Sequence, residues 1–169
     1  MNHINLKLQE AQVFVKQHHR HSEPLKRHMF SIGAVKYPGG FELLGVVTVD
    51  RCSSAWSKRR DHVEIRRLCV KPNAPKNVAS YLISRAKDAC WAMGYNTIIT
   101  YTKPHELGSS LLATGFYVQK AKWSPADPSH PMGLVQWCVS RGRQLDSKVA
   151  TGERQSTKKL LAEIGGTFK

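Results

Sequence analysis

Three histidines fall within four residues at His18, His19 and His21, with Arg20 among them. Imidazole titrates close to neutral pH, so it can take a proton from an amine or, once charged, hold an anion. His19 is therefore a candidate general base and His21 a candidate substrate contact. The alternative is a solvated helix end, where His and Arg complement the helix dipole. A second polar group, Glu64, Arg66 and Arg67, interrupts the apolar run from Val63 to Val70. Regular strand alternation puts Glu64 and Arg66 on one face, and Arg67 on the other with Ile65 and Cys69. Glu64 then either pairs with Arg66 or binds substrate. Arg67 on an apolar face points to a catalytic role in a cleft, because an unpaired buried charge is costly. A third group is Tyr101, Glu106 and Ser110. Glu106 can deprotonate an incoming amine directly or through water, or it simply complements a helix N-terminus. Ser110 lies one helical turn beyond it. Trp56, beside Lys58-Arg59-Arg60, is either a hydrophobic anchor or a surface for a ligand.

The elements that position these groups are legible as a strand–turn–helix–strand unit. Val63 to Val70 has strand character, Lys71 to Asn77 is a Pro/Asn turn, and Val78 to Met93 is a helix stopped by Gly94. Thr97 to Thr102 is a β-branched strand, Glu106 to Ala113 a short helix ending at Gly115, and Phe116 opens another strand. Such βαβ units gather ligands where strand C-termini meet helix N-termini. Asn77 and Ser80 sit at that helix start, as caps or as phosphate contacts. Upstream, Asn5 is read as the cap of a helix reaching His18, with Leu8, Ala11 and Val15 as its apolar stripe. Met29 to Lys36 and Phe41 to Asp50 form a hairpin about Tyr37-Pro38-Gly39-Gly40, and Gly45 marks a bulge or a close backbone approach. After Val118 to Trp123 comes a proline-rich loop, then a last strand from Gly133 to Val139. The expected organisation is one domain over 1–145 and a basic tail over 146–169.

The chain has 169 residues, 41% of them hydrophobic, which supports a globular core without staples. Lys and Arg number 26 against 12 Asp and Glu, a formal net charge of +14. That balance favours anionic partners such as nucleic acid or phosphorylated cofactors. Lys58 to Arg60, Lys120, Lys122, Arg141, Arg143, Arg154, Lys158 and Lys159 would carry a nucleic-acid footprint, with Trp56 or Trp123 to stack on a base. Cys52, Cys69, Cys90 and Cys138 form no CxxC pair, which reads as reduced thiols in a cytoplasmic protein without a metal site. No apolar run approaches the roughly 20 residues of a membrane span.

The stretch LCVKPNAPKNVASYLISRAKDACWAMGYNTIITY, followed by LLATGFY, resembles the GNAT acyltransferase family over about Asn5 to Val139. The resemblance implies an α/β fold: a mixed, mostly antiparallel central sheet with a splayed parallel strand pair and helices on both faces. It implies acetyl-CoA or another acyl-CoA as cosubstrate. Leu68, Cys69 and Val70 would pair with the pantetheine arm. Lys76, Asn77, Val78, Ala79 and Ser80 would hold the pyrophosphate. Ala74 and Asn77 stand where the family usually has Gln or Arg and its first turn glycine. Leu111 stands where many members carry a tyrosine as general acid, so Tyr101, Ser110 or a water takes that role, or the donor is not a simple thioester. FVKQHHRH, EIRRLC, NVASYL and TYTKPHELGSSLLATGF are similar to phage- and prophage-encoded GNAT-like proteins, and more distantly to Mom-type DNA-modification proteins. That likeness implies an amine on DNA or a nucleotide as acceptor, in a phage or host-cell setting. A protein or small amine, or a GNAT-fold binding module without catalysis, are the alternatives, and the chain would be a monomer or homodimer.

Overall fold

The computed structural model describes residues 1–18, 25–40, 42–52, 60–123, 133–142 and 159, with the backbone alone at 121–123. Two compact units divide the chain, Met1–Ile98 and Ile99–Lys169. The first holds β1 (Asn2–Leu6), α1 (Leu8–His18), β2 (Phe30–Val35), β3 (Leu43–Arg51), β4 (His62–Val70) and α2 (Val78–Ala92), and β5 (Thr97–Thr102) begins in it. The second holds the rest of β5, α3 (Ser109–Ala113), β6 (Tyr117–Trp123) and β7 (Leu134–Ser140). The strands make a mixed, mostly antiparallel sheet in the order β1-β2-β3-β4-β5-β7-β6.

The opening segment differs from its sequence reading. Asn5 lies inside β1, which pairs antiparallel with β2 from Asn2↔Val35 to Leu6↔Ser31. The helix starts after it: Glu10 Oε2 accepts the Lys7 N–H at 2.7 Å, so a glutamate three residues in does the capping that Asn5 was expected to do. The hairpin is as expected, with β2 and β3 paired antiparallel.

Register decides which side chains share a face. Gly45, Val47 and Val49 of β3 lie opposite Val70, Leu68 and Ile65 of β4. A Cβ built on Gly45 meets Leu82 Cδ1 of α2 at 3.0 Å, so this face carries α2. Val46 and Cys69, the neighbouring pair, cluster with Leu6, Ala11, Phe14 and Val15, so the other face carries α1. Helices therefore cover both faces of the β2–β3–β4 sheet. The α2 face is apolar, with Ile32, Val47, Val49 and Ile65 against Val78, Leu82, Ile83 and Ala86. Among the described residues no helix is long and apolar enough to cross a membrane.

Candidate functional site

The turn after β4 folds as a compact cradle. The Ala74 N–H bonds the Lys71 carbonyl at 3.1 Å, and the Lys71 N–H bonds Leu44 O at 2.9 Å. Asn77 then takes φ 70, the left-handed region that Asn tolerates better than most residues, and occupies the cap position of α2 without a side-chain cap bond. Plain capping by Asn77 is therefore not what this residue does. Ser80 does not cap forward either; its Oγ donates back to Asn77 O at 3.1 Å. No acidic residue lies in the first turn of α2. A helix start with no side-chain cap bond from Asn77, no acidic residue in its first turn and exposed Lys76 beside it suits an anion. These residues fit the pyrophosphate of an acyl-CoA. Gly45 fits the same purpose from below: a Cβ there would lie 2.9 Å from Cys69 O and 3.1 Å from Val70 Cγ2, so only glycine lets α2 and the end of β4 settle this closely. The Cys69 thiol is not at hand for a ligand. It is buried in the α1-side cluster, and desolvation pushes it up to about 11.

The α1 face of β3 and β4 contains the feature the sequence hid. A bulge at Arg66 breaks the alternation: Arg67 lies opposite Thr48, while Ile65 lies opposite Val49 and Glu64 opposite Asp50. Glu64 and Arg67 therefore share a face, where regular alternation had placed them on opposite ones. Thr48, Asp50, Glu64 and Arg67 form one polar row, continued on β2 by Ser31 opposite Thr48. Ser31, Thr48, Asp50 and Glu64 are all buried. Ser31 Oγ and His28 Nδ1 are 2.6 Å apart. Arg27 Nε contacts Asp50 Oδ2 at 3.2 Å, and Arg66 Nη1 contacts Glu64 Oε1 at 3.4 Å. The expected Glu64–Arg66 ion pair is thus present. Arg67 bends back to donate from Nη1 to Arg66 O at 2.7 Å. Desolvation, and then the charge of Arg66, lower its pKa, while Glu64 opposes them. Among the described residues, the buried Thr48 Oγ1 has no hydrogen-bond partner.

Tyr101, Glu106 and Ser110 belong to the second unit. Tyr101 Oη accepts a hydrogen bond from Gln136 Nε2 at 2.9 Å, and Trp137 Nε1 donates to Thr102 Oγ1 at 2.9 Å. Glu106 is not in a helix. Its Oε2 accepts the Lys103 N–H at 2.7 Å and its own N–H bonds Lys103 O at 3.0 Å, closing a turn. The helix cannot start at Glu106 because Gly108 takes φ 61 before it, and a Cβ there would run into the Trp137 ring. Ser110 is the second residue of α3, so it is not one helical turn along a helix from Glu106. Its carbonyl accepts the Thr114 hydroxyl at 2.9 Å. Leu111 is buried. His18, the first of the histidine cluster, packs its ring against Phe14 at 4.6 Å between centroids. His19, His21 and Trp56 lie outside the described residues, as do Lys58, Arg59, Arg143, Arg154 and Lys158 and the side chains of Lys122 and Trp123. Arg60, Lys120, Arg141 and Lys159 are exposed. Among the described residues no group of three His, Cys, Asp or Glu is placed to hold a metal ion.

Sequence reasoning passed over Thr48, Asp50, Ser31, Gln136 and Trp137. The Thr48-x-Asp50 alternation in β3 was a usable signal for the first two. Nothing local marks Gln136 and Trp137, whose partners lie 35 residues away.

No protein-family model matches the sequence. No curated protein matches it. Solved structures do. An IAA acetyltransferase from Bacillus cereus aligns with TM-score 0.63 at 11% identity, over 82% of this chain and 98% of that one. A ribosomal-protein alanine N-acetyltransferase from Escherichia coli aligns with TM-score 0.59 at 10% identity, over 86% and 97%. A Bacillus subtilis acetyltransferase in complex with CoA aligns with TM-score 0.51 at 18% identity, over 66% and 76%. At these identities the likeness is one of fold: the chain has the mixed α/β fold of the GNAT acetyltransferases, as the sequence resemblance implied.

Proposed function

We propose that this chain is a GNAT-type N-acyltransferase using acetyl-CoA or a related acyl-CoA. The observation that carries the proposal is the start of α2, where Asn77 enters the left-handed region and leaves the first-turn N–H groups without a side-chain cap. The pyrophosphate would lie against Lys76, Asn77, Val78, Ala79 and Ser80, and the pantetheine arm along Leu68 to Val70. When bound, the donor supplies an acyl thioester, so that a C–N bond to the acceptor amine forms, the C–S bond breaks and the thiol departs. The backbone N–H of Val70 would polarise the acyl carbonyl. An attacking amine must arrive neutral or lose its proton on site, and His19 and Glu106 are the proposed bases. Arg67 would orient polar groups on the α1 face. Tyr101 or Ser110 would return a proton to the leaving sulfur, since Leu111 cannot.

Two acceptor readings have support. The +14 charge and the likeness to phage DNA-modification proteins favour an amine on nucleic acid or a nucleotide, with Arg60, Lys120 and Arg141 among the phosphate contacts. The buried carboxylates Asp50 and Glu64 favour a protein or small aliphatic amine. A binding module without catalysis remains the alternative from a different class.

Thermal unfolding with and without saturating acetyl-CoA tests the proposal. A ligand at about 100 times its Kd stabilises by roughly 2.7 kcal/mol. A clear rise in Tm that Asn77→Asp abolishes supports the donor site. No rise with acetyl-CoA or longer acyl-CoA forms removes the acyltransferase reading and leaves the binding module.

A further inference from the structure

Four residues on two neighbouring strands of the second unit hold one another side chain to side chain. β5 and β7 adjoin in the sheet. Gln136 Nε2 of β7 donates to Tyr101 Oη of β5 at 2.9 Å, and the next residues repeat the contact, Trp137 Nε1 donating to Thr102 Oγ1 at 2.9 Å. Consecutive strand residues face opposite sides, so the two bonds clasp the strands from both faces. Trp137 also fills space: it is fully buried, and its ring lies where a Cβ on Gly108 would be. Gln136 is different. From Val135 to Val139 every residue of β7 is buried, and Gln136 is the one carboxamide among Val135, Trp137, Cys138 and Val139. It is 1% exposed, and among the described residues its Oε1 has no hydrogen-bond partner. Glutamine is mostly a surface residue, and burying it here costs rotamer freedom as well as an unmet acceptor. An apolar side chain of similar volume would fill the strand without that orphaned oxygen. What the amide provides is its bond to Tyr101.

We propose that Gln136 is a positioning residue for the proton-return step, setting Tyr101 as the acid that the leaving thiolate meets. This rests on the acyltransferase reading and deepens it, since it selects Tyr101 over Ser110. A phenol titrates near pH 10 and a thiol near about 8.5, so the proton passes between groups of comparable acidity, whereas an alkyl hydroxyl is a far weaker acid. When the C–S bond breaks, the sulfur takes the Tyr101 proton and Tyr101 is left as a phenolate. The proton lost by the attacking nitrogen goes to the base and then, through water, restores the phenol. A tyrosine oxygen has one proton of its own and can also accept. The Gln136 N–H takes up an accepting position, so the Tyr101 proton points away from the amide. The same N–H binds a phenolate more strongly than a phenol, because hydrogen bonds to a charged oxygen are the stronger ones. Gln136 thereby directs the proton and steadies what remains after it leaves. A reversed amide would do the opposite, since its carbonyl would accept the proton and hold it back.

The test follows the Tyr101 phenol of the full chain by its ultraviolet absorbance on alkaline titration, as the signal missing from Tyr101→Phe. In Gln136→Met, a change of similar volume, that phenol should titrate about one unit or more higher than in the wild type, as loss of a hydrogen bond to a charged group implies. The titration is repeated with CoA and with desulfo-CoA, whose binding is read separately by thermal unfolding. A thiolate beside Tyr101 opposes its ionisation, so CoA should raise the phenol further than desulfo-CoA does. Gln136→Met should lose most of that difference, because the hydroxyl is no longer held toward the sulfur. A purely structural amide would leave the difference intact. If Gln136→Met does not fold, Gln136→Leu takes its place. An unchanged phenol titration in the variant, a sulfur-dependent difference equal in both proteins, or CoA and desulfo-CoA acting alike on the wild type overturns the proposal. Failure of both ligands to bind removes the acyltransferase reading instead, and the role of Gln136 falls with it.

Discussion

The two faces of the β3–β4 pair are built from the same two strands and answer different demands. On the α2 face, Gly45, Val47 and Val49 meet Val70, Leu68 and Ile65, and the helix above adds Leu82 and Ile83. On the α1 face, Val46 and Cys69 are apolar, but Thr48, Asp50, Glu64 and Arg67 follow within a few residues. Both faces are buried, so burial alone does not set composition. The apolar face stabilises the sheet and fixes the position of the α2 N-terminus. The polar face gives up apolar contacts for buried charges that must be paired, Asp50 by Arg27 and Glu64 by Arg66.

Breaking the apolar face should give the largest effect. Leu82 is fully buried and fills the contact above Gly45. Leu82→Ala should cost about 2–5 kcal/mol, read as a lower denaturation midpoint at unchanged slope. A smaller loss than about 1 kcal/mol would mean that α2 does not rest on this face as described. A reciprocal exchange sharpens the comparison. Val47→Thr moves a hydroxyl onto the apolar face and should destabilise by about 1–3 kcal/mol. The same side-chain pair reversed on the neighbouring position, Thr48→Val, should leave stability equal or higher. Equal losses from both changes would erase the distinction between the faces.

The difference between the faces also explains what could be read from the sequence. The βαβ unit, the hairpin and the Asn77 turn were legible because β-branched runs, Gly94 and the Pro/Asn stretch are local signals. Gly45 was legible as a bulge or a close backbone approach, though not which element approaches it. The bulge at Arg66 was not legible. It depends on how β4 registers against β3, and one extra residue reverses the face of everything before it. That single residue is why Glu64 and Arg67 were separated on paper and share a face in the fold. Asn5 misled for a related reason: a cap residue and an edge-strand residue look alike until a partner strand is known. Glu106 misled because the αL conformation of Gly108 answers to Trp137, far along the chain.

At the edge between the faces, Asn77→Asp should change stability by less than about 0.5 kcal/mol, because Asp also tolerates the left-handed region and suits a helix start. Its effect should appear only with ligand. Acetyl-CoA should raise the Tm of the wild type and raise that of Asn77→Asp much less, since the new carboxylate would face the N–H groups proposed to hold the pyrophosphate. Equal shifts would place the donor elsewhere.

The smallest effect, visible only at alkaline pH, concerns one thiol from each side. Cys69 belongs to the α1-side cluster and Cys90 to the buried side of α2. Desolvation raises Cys69 from 9.0 to about 11. It raises Cys90 further, from 9.0 to about 12, against a lowering backbone hydrogen bond. Both folded values lie above the ordinary one, so folding favours the neutral thiols. The stability this contributes is complete below pH 9 and is lost as pH rises through each folded value. The wild type should therefore weaken between pH 9 and about 12, and Cys90→Ala should show a shallower alkaline decline than its own neutral-pH stability would suggest. In alkylation of the native protein, Cys69 should become reactive at lower pH than Cys90. The reverse order would mean that the α2 face is the wetter of the two, and the contrast between an apolar face and a polar one would have to be redrawn.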